Sequence, residues 1–277
     1  METVSKALSH GGVQGVYRHE AATTRCPMTF AVFVPPQARD GVVPVLWYLS
    51  GLTCTHANVM EKGEYRAAAA RHGVIIVAPD TSPRGPDVPD EPGNWQFGSG
   101  AGFYVDATEA PYAANYRMYS YVTQELPALV AAEFPADMSR QGIFGHSMGG
   151  HGALTIALKN PGRYRSCSAF APIVQPSTAD WSRPALEKYL GPDAKAWRAW
   201  DACALIEDGH RLPELLVDQG TADSFLDTGL RPWLLREACE RAGMPLTLTM
   251  REGYDHSYFF ISTFMADHIA WHAARLG

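Results

Sequence analysis

The sequence predicts an α/β fold in which helices cover both faces of a mostly parallel sheet. Short, continuously apolar runs recur along the chain, and segments of helical composition separate them. Such runs are typical of parallel strands that are buried on both faces. The chain has 277 residues, of which 46% are hydrophobic, and this is an ordinary size for one domain of this class. We therefore expect a single domain over residues 1–277.

The first strand–helix–strand unit is predicted between residues 42 and 78. Residues 42–49 (VVPVLWYL) and 74–78 (VIIVA) are two apolar runs, and each ends at a turn. Between them, the segment 61–72 is rich in alanine and stops at Gly73, which predicts a helix. Before this unit, residues 15–34 are expected to form antiparallel strands that extend the sheet.

The same alternation of strands and helices continues along the rest of the chain. Further strands are predicted at 141–144, 166–173, 215–219 and 246–250, and helices at 119–134, 150–160, 230–242 and 258–274. This order is typical of a parallel sheet with helices on both sides. Residues 83–102 are rich in Pro and Gly and are predicted to be a long irregular loop, a kind of segment that often carries function.

Charge and composition argue against several classes of partner. Lys and Arg number 23 against 29 Asp and Glu, a net charge of −6, and no long basic run is present. Nucleic acid and anionic membrane surfaces are therefore not expected as partners. The first residues lack the apolar segment of a signal peptide, and no apolar run approaches the ~20 residues of a membrane-spanning helix. We expect a cytoplasmic protein.

The cysteines predict neither a disulfide framework nor a metal site. Five are present, an odd number, and they are widely separated without C-x-x-C spacing. Disulfide frameworks and zinc sites use paired or closely spaced cysteines. Reduced thiols and no metal are therefore expected.

Residues 145–149 (GHSMG) form a G-x-S-x-G pattern between a predicted strand and a predicted helix. On its own, the pattern also fits a glycine-rich turn. In the strand–turn–helix context it predicts a nucleophile elbow, in which small flanking residues permit a sharp turn that exposes the serine hydroxyl. Ser147 is then the candidate nucleophile, and the fold class becomes an α/β-hydrolase fold.

A serine nucleophile requires a histidine base, which in this fold follows the serine and the acid in the sequence. Five of the ten histidines follow Ser147. His151 falls in the elbow helix, and His268 and His272 fall on the last helix, where solvated or capping side chains are expected. His256 lies in a polar turn between the last predicted strand and the last helix. We therefore predict His256 as the base.

Asp223 is the predicted acid. It follows the strand that ends before Gly220, so its side chain is free to reach across the carboxyl edge of the sheet. Asp218 lies within that strand and is predicted to be structural, and Asp227 is predicted to cap the following helix. Asp255 is adjacent to the base in sequence, which makes the required side-chain hydrogen bond awkward.

The oxyanion of an acyl-transfer intermediate needs two N–H donors, and losing one typically costs ~10²–10³ in turnover. The elbow provides the backbone N–H of Met148. The second donor is expected in the loop 50–54, where we predict the N–H of Leu52, with Gly51 as the alternative.

Several longer segments resemble the S-formylglutathione hydrolase family, also called esterase D, in the order in which that family has them. These segments are 49–55 (LSGLTCT), 100–108 (GAGFYVDAT), 116–121 (YRMYSY), 145–154 (GHSMGGHGAL) and 255–261 (DHSYFFI). The resemblance covers nearly the whole chain. It implies hydrolysis of the thioester S-formylglutathione to glutathione and formate through a formyl-Ser147 intermediate, without a metal or organic cofactor. It also implies the triad Ser147, Asp223 and His256, and suggests a homodimer.

One segment departs from the family's pattern. Where the family usually has Pro-Trp-Gly-x-Lys-Ala-Phe before Tyr-Leu-Gly, residues 180–186 are DWSRPAL, followed by YLG at 189–191. The tryptophan remains, but the glycine and the basic position have changed. This change bears on the choice of substrate and leaves the predicted chemistry intact.

A formyl group is the smallest acyl group, so a tight acyl pocket is expected. The aromatic candidates for its wall or rim are Trp95, Phe103, Tyr104 and Trp181, although aromatic side chains more often belong to the core. Cys54 follows the predicted oxyanion loop and is a further pocket candidate; alternatively it is a buried thiol that packs as a small hydrophobic side chain.

Two other functions fit the same sequence features. One is a general short-chain carboxylesterase or acyltransferase on the same scaffold. The other is a catalytically silent binding protein that retains the fold. A binding protein has no need for a complete set of serine, acid and histidine, so the presence of all three argues against this alternative.

Overall fold

The computed structural model describes residues 1–277, and a nine-stranded sheet runs through its centre. The strand order across the sheet is β1-β2-β3-β5-β4-β6-β7-β8-β9. The strands are β1 Glu2–Ser9, β2 Gly12–Ala21, β3 Cys26–Val34, β4 Val43–Leu49, β5 Ile75–Pro79, β6 Ala136–His146, β7 Ser166–Phe170, β8 Leu215–Gly220 and β9 Leu246–Arg251.

Strands β1 to β3 are antiparallel, and β3 pairs with β5 in the antiparallel sense. All neighbouring pairs from β5 to β9 are parallel. The predicted fold class is therefore confirmed, including the antiparallel strands near the N-terminus.

Ten α-helices surround the sheet. They are α1 His56–Lys62, α2 Arg66–His72, α3 Met118–Ser120, α4 Leu126–Glu133, α5 Met148–Lys159, α6 Arg183–Leu190, α7 Ala194–Trp197, α8 Ala202–Glu207, α9 Pro232–Ala242 and α10 Tyr258–Leu276. Two π-helical turns, Tyr121–Glu125 and Leu226–Leu230, precede α4 and α9. Short 3-10 turns lie at Pro36–Arg39, Tyr112–Ala114, Pro176–Thr178 and Arg198–Trp200. None of the helices is long and apolar enough to span a bilayer.

The core lies between the sheet and the helices that pack on it. Helix α5 packs against β4, β6 and β7 and against helix α8. Helix α10 packs against the same three strands and against α2. Every residue of β4 is buried, as is every residue of β5. This two-sided burial explains why these strands are continuously apolar rather than alternating.

Two predicted elements differ from the observed ones, and one observed strand was not predicted. The single helix predicted at 61–72 is two helices, because the chain turns at Gly63 and at Glu64, whose φ is 53°. The strand predicted to reach residue 173 ends at Phe170, since Ala171 adopts a φ of 42° and turns the chain. Strand β1 was not predicted, because nearly all of its residues are exposed and carry no apolar pattern.

The long loop predicted at 83–102 is irregular as expected. Residues 80–111 form no helix or strand, yet many of their side chains are buried. Hydrogen bonds from buried side chains hold the loop in place. Ser82 Oγ accepts from the N–H of Gly100 at 2.8 Å, and Tyr189 Oη donates to the carbonyl of Ala101 at 2.8 Å. It therefore forms a fixed wall beside the carboxyl edge of the sheet.

Candidate active site

Ser147 lies at the sharp turn between β6 and α5, with φ 58° and ψ −118°. This backbone conformation is costly for a residue with a side chain and persists only where the surrounding structure enforces it. A Cβ at Gly145 would overlap the backbone of Gly149, and a Cβ at Gly149 would overlap the carbonyl of Leu49. Both glycines are therefore required, because the backbone segments of the turn and of β4 approach each other too closely for any side chain there. This tight turn exposes the serine side chain.

Asp223 and His256 form a hydrogen bond, with Nδ1 of His256 2.6 Å from Oδ2 of Asp223. The Asp223 side chain is fully buried and that of His256 is 20% exposed. Asp223 also accepts from Gln219 Nε2 at 3.1 Å and from the N–H of Phe225 at 2.9 Å. Because a carboxylate only accepts, we assign the proton of neutral His256 to Nδ1, which leaves Nε2 free to act as a base.

The loops that carry Asp223 and His256 are joined through their backbones. The N–H of Thr221 donates to the carbonyl of Arg251 at 3.0 Å, and the N–H of Ala222 donates to that of Tyr254 at 2.9 Å. The distance between acid and base is thus set by the main chain as well as by their own hydrogen bond.

Ser147 and His256 line one cavity of about 250 Å³. No charged Lys, Arg, Asp or Glu side chain belongs to its wall, which consists of Gly51, Leu52, Thr53, Cys54, Trp95, His146, Ser147, Trp181, Phe225 and His256. No hydrogen bond joins Ser147 Oγ to His256 in this structure. Such bonds often become short only when a substrate is in place.

The loop predicted to provide the second oxyanion donor lies against Ser147. A Cβ placed on Gly51 would lie 3.1 Å from the Cβ of Ser147. The N–H of Leu52 has no acceptor within the protein, and Met148 is the first residue of α5, where an N–H lacks an intrahelical acceptor. The first turn of α5 contains no acidic residue to compete for its positive end.

Of the pocket candidates, Cys54, Trp95 and Trp181 line the cavity. The prediction for Phe103 and Tyr104 was wrong, because both side chains are fully buried away from it. Each adopts a positive φ that turns its ring into the core, where Tyr104 Oη donates to the carbonyl of Ser50 at 2.9 Å. These two residues support the oxyanion loop and the elbow from below.

Trp181 is held in the cavity wall by close packing. Its indole lies against Gly229, where any Cβ would overlap the ring. Its ring centroid is 5.6 Å from that of Trp95 and 5.9 Å from that of Phe225. Phe225 in turn lies 5.1 Å from the His256 ring. An aromatic group therefore covers the side of the cavity next to the base.

His146 and Phe225 also line the cavity, outside the segments predicted for its wall. The His146 ring centroid is 4.4 Å from that of His256. Burial, followed by the neighbouring His256, lowers the pKa of His146 well below its ordinary value, so this ring is neutral. The only available signal was position: His146 precedes the nucleophile, and Phe225 follows the acid by two residues.

The other carboxylates and histidines clarify the choice of acid and base. Asp218 is buried and pairs with Arg251 at 2.8 Å, a structural position as predicted. Asp255 accepts from Ser257 at the start of α10. The prediction that Asp227 caps a helix was wrong, because it lies inside the π-helical turn and the residue before α9 is Arg231, which provides no cap.

The prediction of solvated or capping side chains at His268 and His272 was also wrong. Both are buried under β7, where Ser168 Oγ lies 2.8 Å from Nδ1 of His268 and 2.8 Å from Nε2 of His272. This side of the last helix packs directly on the sheet and does not face solvent.

Comparison with known proteins identifies close relatives over the full chain. The family described as putative esterase matches residues 21–271. An S-formylglutathione hydrolase of Paracoccus denitrificans is 56% identical over 276 residues, covering 100% of this chain and 98% of the relative. That of Mus musculus is 52% identical, covering 100% and 99%. A solved structure of an S-formylglutathione hydrolase from Agrobacterium tumefaciens is 66% identical, with a TM-score of 0.99 and full coverage of both chains.

Proposed function

The chain belongs to the S-formylglutathione hydrolase family of esterases, and we propose from this that it hydrolyses S-formylglutathione to glutathione and formate. The observation that carries the chemistry is the hydrogen-bonded Asp223–His256 pair in the same cavity as a serine on a strained elbow. This arrangement is what nucleophilic acyl transfer requires.

In the first half of the reaction, Ser147 Oγ attacks the formyl carbon while Nε2 of His256 takes its proton. Buried Asp223 stabilises the resulting imidazolium through its 2.6 Å hydrogen bond. The N–H groups of Leu52 and Met148 stabilise the oxyanion. Collapse of the intermediate breaks the C–S bond, His256 returns the proton to sulfur, and glutathione leaves as the thiol.

The second half uses the same groups with water as the nucleophile. His256 removes a proton from water as the oxygen attacks the formyl-Ser147 ester. The oxyanion forms again in the same position, and its collapse breaks the ester bond. The proton on His256 returns to Ser147 Oγ, and formic acid is released, which loses its remaining proton to solvent and becomes formate.

The cavity wall supports a small acyl group. Trp181, Phe225 and Leu52 line the same cavity of about 250 Å³ as Ser147. The altered segment 180–186 keeps its tryptophan in this wall. The preference for formyl over longer acyl groups would follow from overlap with these side chains.

The proposal is tested by Ser147→Ala, Asp223→Asn and His256→Gln, each assayed for S-formylglutathione hydrolysis and for labelling by a fluorophosphonate. Loss of both hydrolysis and labelling in Ser147→Ala is the expected result. Labelling that persists in this variant would remove Ser147 from the reaction. Labelling without thioester hydrolysis in the unmodified protein would instead favour a general esterase.

Location in the cytoplasm and assembly as a homodimer stay predictions that accompany this function. Cell fractionation tests the first and light scattering on the purified protein tests the second.

A further inference from the structure

A buried polar cluster lies behind the candidate active site, between the sheet and α10. We call it the anchor cluster; its members are Ser166 and Ser168 on β7, Asp218 on β8, Arg251 at the end of β9, and His268 and His272 on α10. All are buried except Arg251, whose side chain is 29% exposed. The proposed mechanism uses none of them.

The distances in the anchor cluster define one direction of hydrogen bonding. Nε2 of His268 lies 3.5 Å from Oδ2 of Asp218, an electrostatic contact rather than a hydrogen bond. Because a carboxylate repels a nitrogen lone pair, we assign the His268 proton to Nε2. Nδ1 of His268 then accepts from Ser168 Oγ at 2.8 Å. The same hydroxyl accepts from Nε2 of His272 at 2.8 Å.

The hydrogen bond at the other end of the anchor cluster runs in the same direction. Nδ1 of His272 accepts from Ser166 Oγ at 2.6 Å. Both histidines are therefore neutral with the proton on Nε2, in agreement with the effect of burial, which lowers the pKa of each. The orientation of every hydroxyl and imidazole proton follows from a single charged acceptor, Asp218.

Asp218 is held as a carboxylate by two partners. Burial raises the pKa of its carboxyl, but the interactions with His268 and Arg251 outweigh burial and lower it. Arg251 Nη2 donates to Oδ2 at 2.8 Å, and the guanidinium lies 4.0 Å from the centroid of the Phe264 ring on α10. Arg251 thus connects β8, β9 and α10.

The position of the cluster in the chain links it to both catalytic loops. Asp218 stands five residues before Asp223, and Arg251 stands five residues before His256. The carbonyl of Arg251 also accepts from the N–H of Thr221, in the loop of the acid. His268 lies on the helix that begins just after His256. The cluster therefore fixes the chain on both sides of the base and on the strand that leads to the acid.

A buried ionic cluster is a poor choice for stability alone. Well-packed apolar side chains of similar volume are often as stabilising as a buried ion pair, or more so. What this cluster adds is direction, since the three hydrogen bonds among its serine and histidine side chains run in one order only. Proton transfer is sensitive to such placement, and a shift of about 1 Å can cost ~10²-fold in rate.

We propose that Asp218, Arg251 and His268 are positioning residues that hold the loops of Asp223 and His256 in register with Ser147. This inference rests on the proposed function, because its readout is the hydrolytic reaction. It assigns a role in turnover to side chains that contact neither the substrate cavity nor the reacting atoms.

The test compares Asp218→Asn and Arg251→Met with the conservative Arg251→Lys and with the control Arg275→Met. Arg275 pairs with Glu214 at 2.6 Å and so also joins α10 to the β8 region, but at the opposite end of both elements. We expect kcat for S-formylglutathione to fall about 10- to 100-fold in Asp218→Asn and Arg251→Met, with KM within about threefold. Arg251→Lys should recover most of kcat, and Arg275→Met should stay within about twofold.

Two controls distinguish a positioning role from a purely structural one. Activity is measured well below the Tm of each variant, so that unfolding does not lower kcat, and the proton NMR signal of His256 Nδ1–H reports the placement of the base. Displacement of the base should move or broaden this signal in Asp218→Asn while leaving it in place in Arg275→Met. Unchanged kcat and an unchanged signal in Asp218→Asn and Arg251→Met would overturn the inference. An equal loss of kcat in Arg275→Met would overturn it too, whereas an unmodified protein without thioester hydrolysis would overturn the proposed function instead.

Discussion

Asp223→Asn is the substitution whose effect the structure defines most sharply. Oδ1 of Asp223 accepts from the backbone N–H of Phe225 at 2.9 Å, a donor that cannot turn, which selects the amide oxygen of an asparagine for that position. The Gln219 side chain, whose Nε2 donates to Oδ2 at 3.1 Å, can turn its unpartnered Oε1 towards the new amide nitrogen instead. The amide nitrogen must then face Nδ1 of His256, where Oδ2 stands now. Because an amide nitrogen donates, His256 has to accept at Nδ1 and carry its proton on Nε2.

An imidazole protonated on Nε2 cannot take the proton of Ser147. The wrong tautomer in a serine triad costs ~10⁴ in kcat, which corresponds to ~5 kcal/mol of transition-state stabilisation. We expect this loss in the initial rate of S-formylglutathione hydrolysis at neutral pH, with KM nearly unchanged. The Tm should change little, since the volume and two of the three hydrogen-bond positions are kept.

The matched control is Asp255→Asn, which changes the carboxylate next to the base in sequence. Asp255 accepts only from the N–H and the hydroxyl of Ser257. Its substitution should leave kcat within about threefold, as is usual for an exposed polar group away from the reacting atoms. A loss of less than tenfold in Asp223→Asn, or a comparable loss in both variants, would refute the assignment of the acid.

Three further predictions follow from the cavity wall and from burial. Gly229→Ala should displace the Trp181 indole, because the new Cβ overlaps it, and should raise kcat/KM for butyryl relative to acetyl p-nitrophenyl esters by about tenfold; an unchanged ratio would contradict the role of Trp181 in acyl selection. Burial raises the pKa of the Cys54 thiol, so iodoacetamide should inactivate slowly at pH 7 and faster at higher pH, and Cys54→Ser should be resistant; equal sensitivity of both proteins would exclude Cys54 as the target. Burial lowers the pKa of His151 from 6.5 to about 4, so the unfolded chain binds the extra proton first as the pH drops. His151 alone should therefore contribute a fall of about 1 kcal/mol per pH unit to the free energy of unfolding between pH 6.5 and 4. Urea titrations of the unmodified protein and of His151→Asn measure this contribution as the difference between their slopes, and equal slopes would contradict it.

The parts of the fold that the sequence predicted are those with a strong local signal. Strands β4 and β5 are buried on both faces and therefore read as continuous apolar runs. Strand β1 is exposed and pairs along one edge only, so its hydrogen bonds to β2 rather than burial hold it in the sheet. Backbone pairing of this kind leaves no hydrophobic pattern in the sequence from which the strand could be predicted.

The candidate site shows the same division between local and long-range information. The flanking glycines predict Ser147 as the nucleophile, and the places of Asp223 and His256 after strands predict the acid and the base. The roles of Phe103 and Tyr104 depend on which way two residues with positive φ turn their rings, which composition does not encode. The burial of His268 depends on α10 packing against β7, a contact between segments about 100 residues apart.

The central claim is that this cavity is built for a formyl thioester, and the ratio of kcat/KM for S-formylglutathione to that for p-nitrophenyl acetate tests it most directly. Ser147→Ala provides the blank for both substrates. A ratio far above one is predicted, because the chain belongs to the S-formylglutathione hydrolase family and longer acyl groups are proposed to overlap with Trp181, Phe225 and Leu52 in the cavity wall. A ratio below one would contradict the claim and leave a general short-chain esterase that uses the same three residues.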